Sequence, residues 1–225
     1  IYMFVRNTIQ YPYTGIAPQL TSSYGQYDNG EYVFYFYDNF AGTQLKSIWQ
    51  TGAFSGSVNN GLYLESSSGQ GGIYTQLDMT NNMVIDVLAE MITATSLTPV
   101  FGTSTPTLGQ GLSDIPGYQF IWNYNNANEI GIWVSGSSIT SASVTIDTDT
   151  FYLLSNEWIG DNLIALQNYQ QVVSATNSEY SSASYLVLVV YQGGEWFVQY
   201  VRVRYAPPNG VMPSNSQPQK IIIYV

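Results

Sequence analysis

The sequence predicts an all-β protein, a two-sheet antiparallel β-sandwich with an extended strand at its N-terminus. Segments rich in Val, Ile, Tyr, Phe and Trp, which favour strands, alternate with short breaks of Gly, Pro, Ser, Thr and Asn. Helical patterning is almost absent. Many short strands separated by regular turn signals are typical of a sandwich or a barrel. The 225 residues suit one large β domain or two small ones.

The strand signals fall into short segments joined by turns that the sequence makes legible. Asn59-Asn60-Gly61 is a hairpin signal, because both central residues of such a tight turn need positive φ. We predict strands at 1–10, 31–38, 62–66, 71–78, 82–92, 117–124, 129–135, 142–146, 150–154, 161–166, 184–192, 195–204 and 220–225. We expect inward side chains at Phe34 or Val33, and at Trp49, Leu62, Leu64, Val84, Ile121, Ile132, Trp133, Leu186, Leu188 and Val201.

Alternation in the strand 195–204 defines two faces. Phe197, Gln199, Val201 and Val203 lie on one predicted face, and Trp196, Val198, Tyr200, Arg202 and Arg204 on the other. The two arginines favour structural bridges to carboxylates, with an anion site as the alternative.

The composition excludes several classes of function. The chain has no cysteine and no histidine, which removes thiol chemistry, histidine metal sites and Ser-His-Asp catalysis. Only 9% of residues are charged, and the net charge is −10. Five basic residues form no basic patch, so we expect no nucleic-acid binding. The apolar segments are too short for a membrane helix, so we expect no membrane insertion. A polar surface of hydroxyl and amide groups favours an extracellular or cell-surface protein.

Residues 1–30 differ from the remainder of the chain. The apolar segment Ile1–Ile9 is followed by a segment with prolines at 12 and 18, which favour an extended path. We therefore predict an N-terminal strand and linker at 1–30 and a sandwich domain at 31–225. In the strand, Ile1, Met3, Val5 and Ile9 share one face.

Two segments of the sandwich carry a resemblance. The segment Tyr37–Thr43, followed by Leu45 and Trp49, and the hairpin segment Val58–Leu64 resemble the opening of concanavalin A-like lectin/glucanase (laminin G-like) sandwiches. The segment Val201–Pro213 is similar to the end of such domains in secreted archaeal proteins of unknown function. The resemblance implies the concanavalin A-like jelly roll, a fold that hosts lectins, glycanases and scaffolds alike.

The glucanases of this fold use carboxylates spaced along one strand, and the local match here is Asp86 and Glu90. Positions four apart in a strand lie about 13 Å from each other. Hydrolysis needs carboxyl groups about 5–9.5 Å apart. Leu88 stands where those enzymes keep the middle acid. We therefore predict a protein that is not an enzyme and that needs no cofactor.

A loop rich in amides is the candidate glycan site. Trp122, Asn123, Tyr124 and Asn126 combine aromatic rings with planar amides, which suit sugar rings and hydroxyls. An ordinary polar turn is the alternative. Asp147 and Asp149 are weak calcium candidates, since calcium wants six to eight oxygen ligands; we otherwise expect no metal.

Two functional hypotheses follow. In the first, the chain is a non-enzymatic structural subunit of an extracellular assembly, a cell-surface filament or virion appendage. It then forms a homo-oligomer or filament by donating its N-terminal strand to a neighbour. The odd-numbered face of that strand fills a groove, and residues 220–225 pair within their own subunit. In the alternative, the chain is a carbohydrate-binding, lectin-like adhesion module.

Overall fold

The computed structural model describes residues 30–66, 69–108, 111, 115–191 and 193–207. These residues form one short helix, α1 (Gly30–Val33), one 3-10 turn (Tyr124–Asn126) and fifteen strands. The strands are β1 (Phe36–Asp38), β2 (Gln50–Gly52), β3 (Ser57–Val58), β4 (Leu62–Glu65), β5 (Gln70–Thr80), β6 (Asn82–Thr93), β7 (Leu97–Gly102), β8 (Gly117–Trp122), β9 (Glu129–Val134), β10 (Ser137–Ser143), β11 (Phe151–Ile159), β12 (Asn162–Gln167), β13 (Gln170–Thr176), β14 (Ser182–Tyr191) and β15 (Glu195–Tyr205).

The strands form two antiparallel sheets packed face to face, which confirms the predicted sandwich. Sheet A has the order β13-β12-β11-β6-β15-β4-β3, and β1 also pairs with β15. Sheet B has the order β10-β9-β8-β7-β14-β5-β2. Neighbours in the sheets are often far apart in sequence, as β6 and β15 are, because the chain crosses repeatedly between the sheets.

The core lies between the sheets and is built from alternate residues of each strand. The predicted hairpin at Asn60-Gly61 joins β3 to β4, and both residues have positive φ (50° and 147°). Side chains from both sheets fill one continuous apolar cluster. The inward predictions that this cluster confirms are Trp49, Leu62, Leu64, Ile132, Leu186, Leu188 and Val201.

Four inward predictions are wrong: the one at Phe34 or Val33, and those at Val84, Ile121 and Trp133. Val33 is 62% exposed in α1, and Phe34 is only half-buried. Val84 and Ile121 are buried, but they alternate with the core residues of β6 and β8 and so lie on the outer faces of their sheets. Trp133 lies beside the core residue Ile132 and is therefore half-buried on the outer face of sheet B.

The predicted faces of β15 are wrong because the strand contains a β-bulge. The pairing with β6 shifts between Val198 and Tyr200, which inserts one extra residue. Trp196 and Val198 therefore join Val201 and Val203 in the core. Phe197, Arg202 and Arg204 lie on the outer face.

The sequence missed several strands, of which β7 and β13 are the longest, and it placed β10 too late in the chain. Residues 1–10 and 220–225, predicted as strands, lie outside the described residues, as do Ile1, Met3, Val5 and Ile9. The boundary at residue 30 stays a prediction. In the described part of the chain, no helix is both long enough and apolar enough to cross a membrane.

Candidate functional site

The outer face of sheet A carries a row of aromatic side chains on neighbouring strands. Register pairs align Tyr63 of β4 with Phe197 of β15, Phe197 with Glu90 of β6, and Glu90 with Phe151 of β11. Each of these residues alternates with core residues of its strand, so all four point away from the core. We call Tyr63, Phe197, Glu90 and Phe151 the aromatic row.

The rings of the aromatic row contact one another and remain accessible. The Tyr63 and Phe197 ring centroids are 4.8 Å apart, and those of Phe151 and Phe197 are 6.0 Å apart. Phe151 is 42% exposed, and Tyr63 and Phe197 are half-buried. Gly61 makes room for this cluster, because a Cβ at that position would overlap the Phe197 ring. The row therefore presents a packed but open apolar surface.

Glu90 is the one acidic member of the row. Phe197 and Phe151 are its register partners on either side, and their rings contact each other. Burial raises the pKa of Glu90, and the nearby carboxylate of Asp149 raises it further. The site thus combines ring faces with one partly desolvated hydrogen-bond acceptor.

Four residues along β6 from Glu90, the same face carries an ionic cluster. Arg202 Nε and Arg204 Nε each donate to Asp86 Oδ2 at 2.8 Å, and the Asp86 side chain is fully enclosed. Arg204 Nη2 also lies 3.9 Å from Glu157 Oε1. Burial would raise the pKa of Asp86, but the charges of Arg204 and Arg202 outweigh it and the pKa is lowered. The arginines therefore bridge a buried carboxylate, as the sequence favoured.

The enclosed Asp86 carboxylate is already bound by two cations, so it offers no free base. Leu88 lies on the same face between Asp86 and Glu90, as the sequence predicted. Arg202 is additionally covered by aromatic rings, with its Cζ 4.7 Å from the Phe34 centroid and 5.5 Å from that of Tyr200. This end of the face is a closed structural network.

The predicted glycan loop is only partly accessible. Trp122 is fully buried, and its Nε1 donates to Asn156 Oδ1 at 2.8 Å. The prediction that Trp122 stacks on a sugar is therefore wrong. Asn123 is also buried, and its Nδ2 donates to the Thr95 carbonyl at 3.2 Å while its Oδ1 accepts from Asn128 N at 3.2 Å. Asn123 thus shapes the loop from inside.

Of the four predicted glycan-site residues, Tyr124 and Asn126 reach the surface. Tyr124 is half-buried against Trp133, with ring centroids 5.3 Å apart, and Asn126 is exposed. The sequence did not predict Trp133 as the ring partner of Tyr124, because Trp133 was expected in the core. This pair lies on sheet B, so it forms a second and smaller aromatic surface.

The weak calcium candidates are both exposed. Asp147 Oδ2 accepts from the Tyr152 hydroxyl at 3.3 Å, and Asp149 follows it in a turn that binds the Met91 carbonyl. Within the described residues, no group of three or more acidic side chains is arranged so that it could hold a metal ion. Calcium binding by Asp147 and Asp149 stays a prediction.

Comparison with solved structures identifies the fold. A carbohydrate-binding module, CBM66 of Bacillus subtilis, aligns with 70% of this chain and 95% of its own, at a TM-score of 0.58 and 14% identity. The exoplasmic/lumenal domain of VIP36, in a Ca²⁺/Man3GlcNAc-bound form, aligns with 76% of this chain and 90% of its own (TM-score 0.59, 10% identity). The chain with sheets A and B therefore has the concanavalin A-like β-sandwich fold.

Further comparisons broaden this result without naming an activity. A Bacillus subtilis protein of unknown function with a galectin-like fold aligns with 76% of this chain and 94% of its own (TM-score 0.62, 8% identity). An uncharacterized protein, 562, of Sulfolobus islandicus rod-shaped virus 1 is 33% identical over 267 residues. That match includes the whole chain, which spans 45% of the viral protein. No family model matches the sequence.

Proposed function

We propose that this concanavalin A-like sandwich is a non-enzymatic carbohydrate-binding module whose ligand lies on the aromatic row. The row supports this proposal because sugars present apolar ring faces that stack on aromatic side chains, while their hydroxyls need polar partners. Phe151, Phe197 and Tyr63 supply the rings, and Glu90 and the Tyr63 hydroxyl supply polar atoms. Solved neighbours with this fold include a carbohydrate-binding module and a mannose-bound lumenal domain.

The absence of catalysis is part of the proposal. Glu90 and Asp86 are the two acids on this face of β6, and the Asp86 carboxylate accepts from both Arg202 and Arg204. A glycosidase needs a second carboxyl group that can act as a nucleophile or a base. A carboxylate held by two guanidinium groups serves neither purpose well.

Glycan-array screening followed by calorimetry tests the binding proposal. Phe151→Ala combined with Tyr63→Ala should weaken sugar binding at least about tenfold, because each stacked ring contributes on the order of 1 kcal/mol. Tyr191→Ala, which removes an exposed ring from the end of β14, is the control and should bind as the unmodified protein does. Binding lost instead in Tyr124→Ala would assign the sugar to the loop at Trp133. A complete lack of binding would refute the proposal.

A second candidate function is assembly through the N-terminal strand. One observation favours it: Tyr32, Val33, Tyr35 and Tyr205 form an exposed apolar patch (83, 62, 42 and 63% exposed) beside Gly30, where residues 1–29 join the domain. The Tyr35 and Tyr205 rings contact each other with centroids 5.5 Å apart. Such a patch suits contact with an apolar segment of another copy in an extracellular filament or virion appendage.

The assembly proposal is tested with the full chain. Met3→Asp combined with Val5→Asp should leave a folded monomer, because a charge on the inserted face prevents its burial. Sedimentation and electron microscopy measure the outcome. Filaments that persist in this variant, or an unmodified protein that stays monomeric at high concentration, would refute the assembly proposal and leave the carbohydrate proposal intact.

A further inference from the structure

Acidic residues flank the aromatic row on the outer face of sheet A. Glu195 is in register with Glu65 on the neighbouring strand, two residues from the Phe197–Tyr63 pair and on the same face. Asp149 follows the bridge between Thr148 and Met91 and lies close enough to Glu90 to act on its charge. Like charges directly opposite each other destabilise a sheet, so a bound cation would relieve the Glu65–Glu195 repulsion.

The basic side chains of the described residues are held elsewhere. Lys46 Nζ lies 2.9 Å from Asp38 Oδ1, and Arg202 and Arg204 are bound to Asp86, four residues along β6 from Glu90. Four positions in a strand correspond to about 13 Å. The field at the aromatic row is therefore dominated by carboxylates.

The rings add to this preference because the face of an aromatic ring carries partial negative charge. A cation placed over Tyr or Phe within about 6 Å of the ring centre is attracted to that face. Three contacting rings with Glu90 in register between two of them give a cation both π-faces and a carboxylate. A sulfated or uronic-acid glycan would meet repulsion from the same groups.

We propose that the aromatic row recognises a carbohydrate that bears protonated amines, an amino-sugar chain, with an ammonium group beside Glu90 and sugar rings on Tyr63, Phe197 and Phe151. This inference rests on the proposed carbohydrate function and narrows its ligand class. It uses charge complementarity between an anionic aromatic surface and a cationic sugar. Hydroxyl groups of the bound sugar would form hydrogen bonds with the Tyr63 hydroxyl.

Calorimetry with three matched oligosaccharides tests this inference. The probes are a hexamer of β-1,4-linked glucosamine, the same hexamer with every amine acetylated, and a hexamer of β-1,4-linked glucose. The pH is chosen so that the glucosamine amines are protonated and Glu90 is ionised. We expect the glucosamine hexamer to bind about tenfold more tightly than the other two.

Two charge variants separate local recognition from the effect of net charge. Glu90→Gln keeps a hydrogen-bond acceptor but removes the negative charge, so it should weaken binding of the glucosamine hexamer more than binding of the acetylated hexamer and remove most of the preference. Glu179→Gln makes the same change in net charge at an exposed site between β13 and β14, and it should keep the preference. A preference that survives Glu90→Gln, or one that Glu179→Gln abolishes equally, would overturn the inference.

The remaining outcomes distinguish this inference from the proposed function. Equal binding of all three hexamers overturns the amine preference and supports carbohydrate binding. No binding of any hexamer, together with a negative glycan array, overturns both. A hexapeptide of lysine serves as the last probe: if it binds as tightly as the glucosamine hexamer, charge alone drives binding and the assignment to a sugar is overturned.

Discussion

Arg204 Nε donates to Asp86 Oδ2 at 2.8 Å, and the carboxylate that it reaches has no exposed surface. The bond joins the two central strands of sheet A, β15 and β6. Arg202 reaches the same oxygen, so one enclosed acid holds two cations on the outer face of the sheet. Since burial disfavours an unpaired charge, the pairing decides whether these charges are tolerated there.

Asp86→Asn should destabilise the domain by about 2–4 kcal/mol, because it leaves two guanidinium groups without their shared counter-charge. This expected loss is smaller than the loss for a fully buried ion pair, because the two arginine side chains are partly exposed. Asp161→Asn, at an exposed turn between β11 and β12, is the matched control and should change stability by less than about 0.5 kcal/mol. Urea unfolding measures both. A small effect of Asp86→Asn would show that the network contributes little.

The same network predicts an unusual dependence of stability on pH. Arg204 and Arg202 overcome the effect of burial and hold the pKa of Asp86 below its usual value, so the stabilising contribution of Asp86 is lost only as the pH falls through that lowered pKa. Burial raises the pKa of Glu157 above 4.5; the charge of Arg204 lowers this pKa in part, and the charge of Asp86 raises it. Burial also raises the pKa of Glu90 above 4.5, and the charge of Asp149 raises it further. Raised carboxyl pKa values favour the folded state as the pH falls toward 4.5.

We therefore expect the melting temperature to rise slightly as the pH falls from neutral toward 4.5, and to fall as the pH drops below 3.8 and Asp86 becomes protonated. Calorimetry across this range checks both limbs. In Asp86→Asn the steep acid limb should be shallower, because the group responsible no longer titrates. A melting temperature that falls steadily from neutral pH downward would contradict the assignment.

Gly61 should be irreplaceable because of the Phe197 ring. Gly61→Ala requires a side chain at φ 147° and places its Cβ against that ring. Gly160→Ala is the control, since it also sits at positive φ (59°) but has nothing within 4 Å. We expect a loss of about 1 kcal/mol for Gly160→Ala and at least about 2 kcal/mol for Gly61→Ala. Thermal unfolding measures the difference, and equal losses would show that the ring yields without cost.

The sequence predicted the two sheets because alternation and turn residues are local signals. Its failures arose where a neighbouring strand decides the outcome. The bulge in β15 moves Trp196 and Val198 into the core, and nothing local marks it. The fully buried strand β7 was missed because it contains Pro99, which is unusual in a central strand. Pro99 is tolerated there because the ladder with β8 pairs Leu97 and resumes at Val100.

The candidate site was harder to predict than the fold. Tyr63, Glu90, Phe151 and Phe197 come from four strands spread over 135 residues, and only the strand order makes them neighbours. The prediction for the glycan loop was wrong because the inward and outward positions of β8 were assigned one residue out of step. With Ile121 assigned inward, Trp122 was assigned outward, whereas the larger ring occupies the core and forms a hydrogen bond across it.

Trp122 therefore supports a last prediction, which separates the core from the binding surface. Its Nε1 donates to Asn156 Oδ1 at 2.8 Å, and Asn156 Nδ2 in turn donates to the Ile85 carbonyl at 3.0 Å. Trp122→Phe removes the donor, leaves a buried amide oxygen unsatisfied and opens a small cavity. The expected loss is about 2–4 kcal/mol of unfolding free energy. Tyr191→Phe, at an exposed ring, should change stability by less than about 0.5 kcal/mol.

Below its melting temperature, folded Trp122→Phe should bind any sugar ligand of the domain with unchanged affinity, because the indole is enclosed and touches no ligand. Urea unfolding gives the stability, and calorimetry on the folded variant gives the affinity. If Trp122→Phe weakened sugar binding without lowering stability, the indole would have to reach the ligand. That result would move the site from the aromatic row of sheet A back to the loop that begins at Asn123.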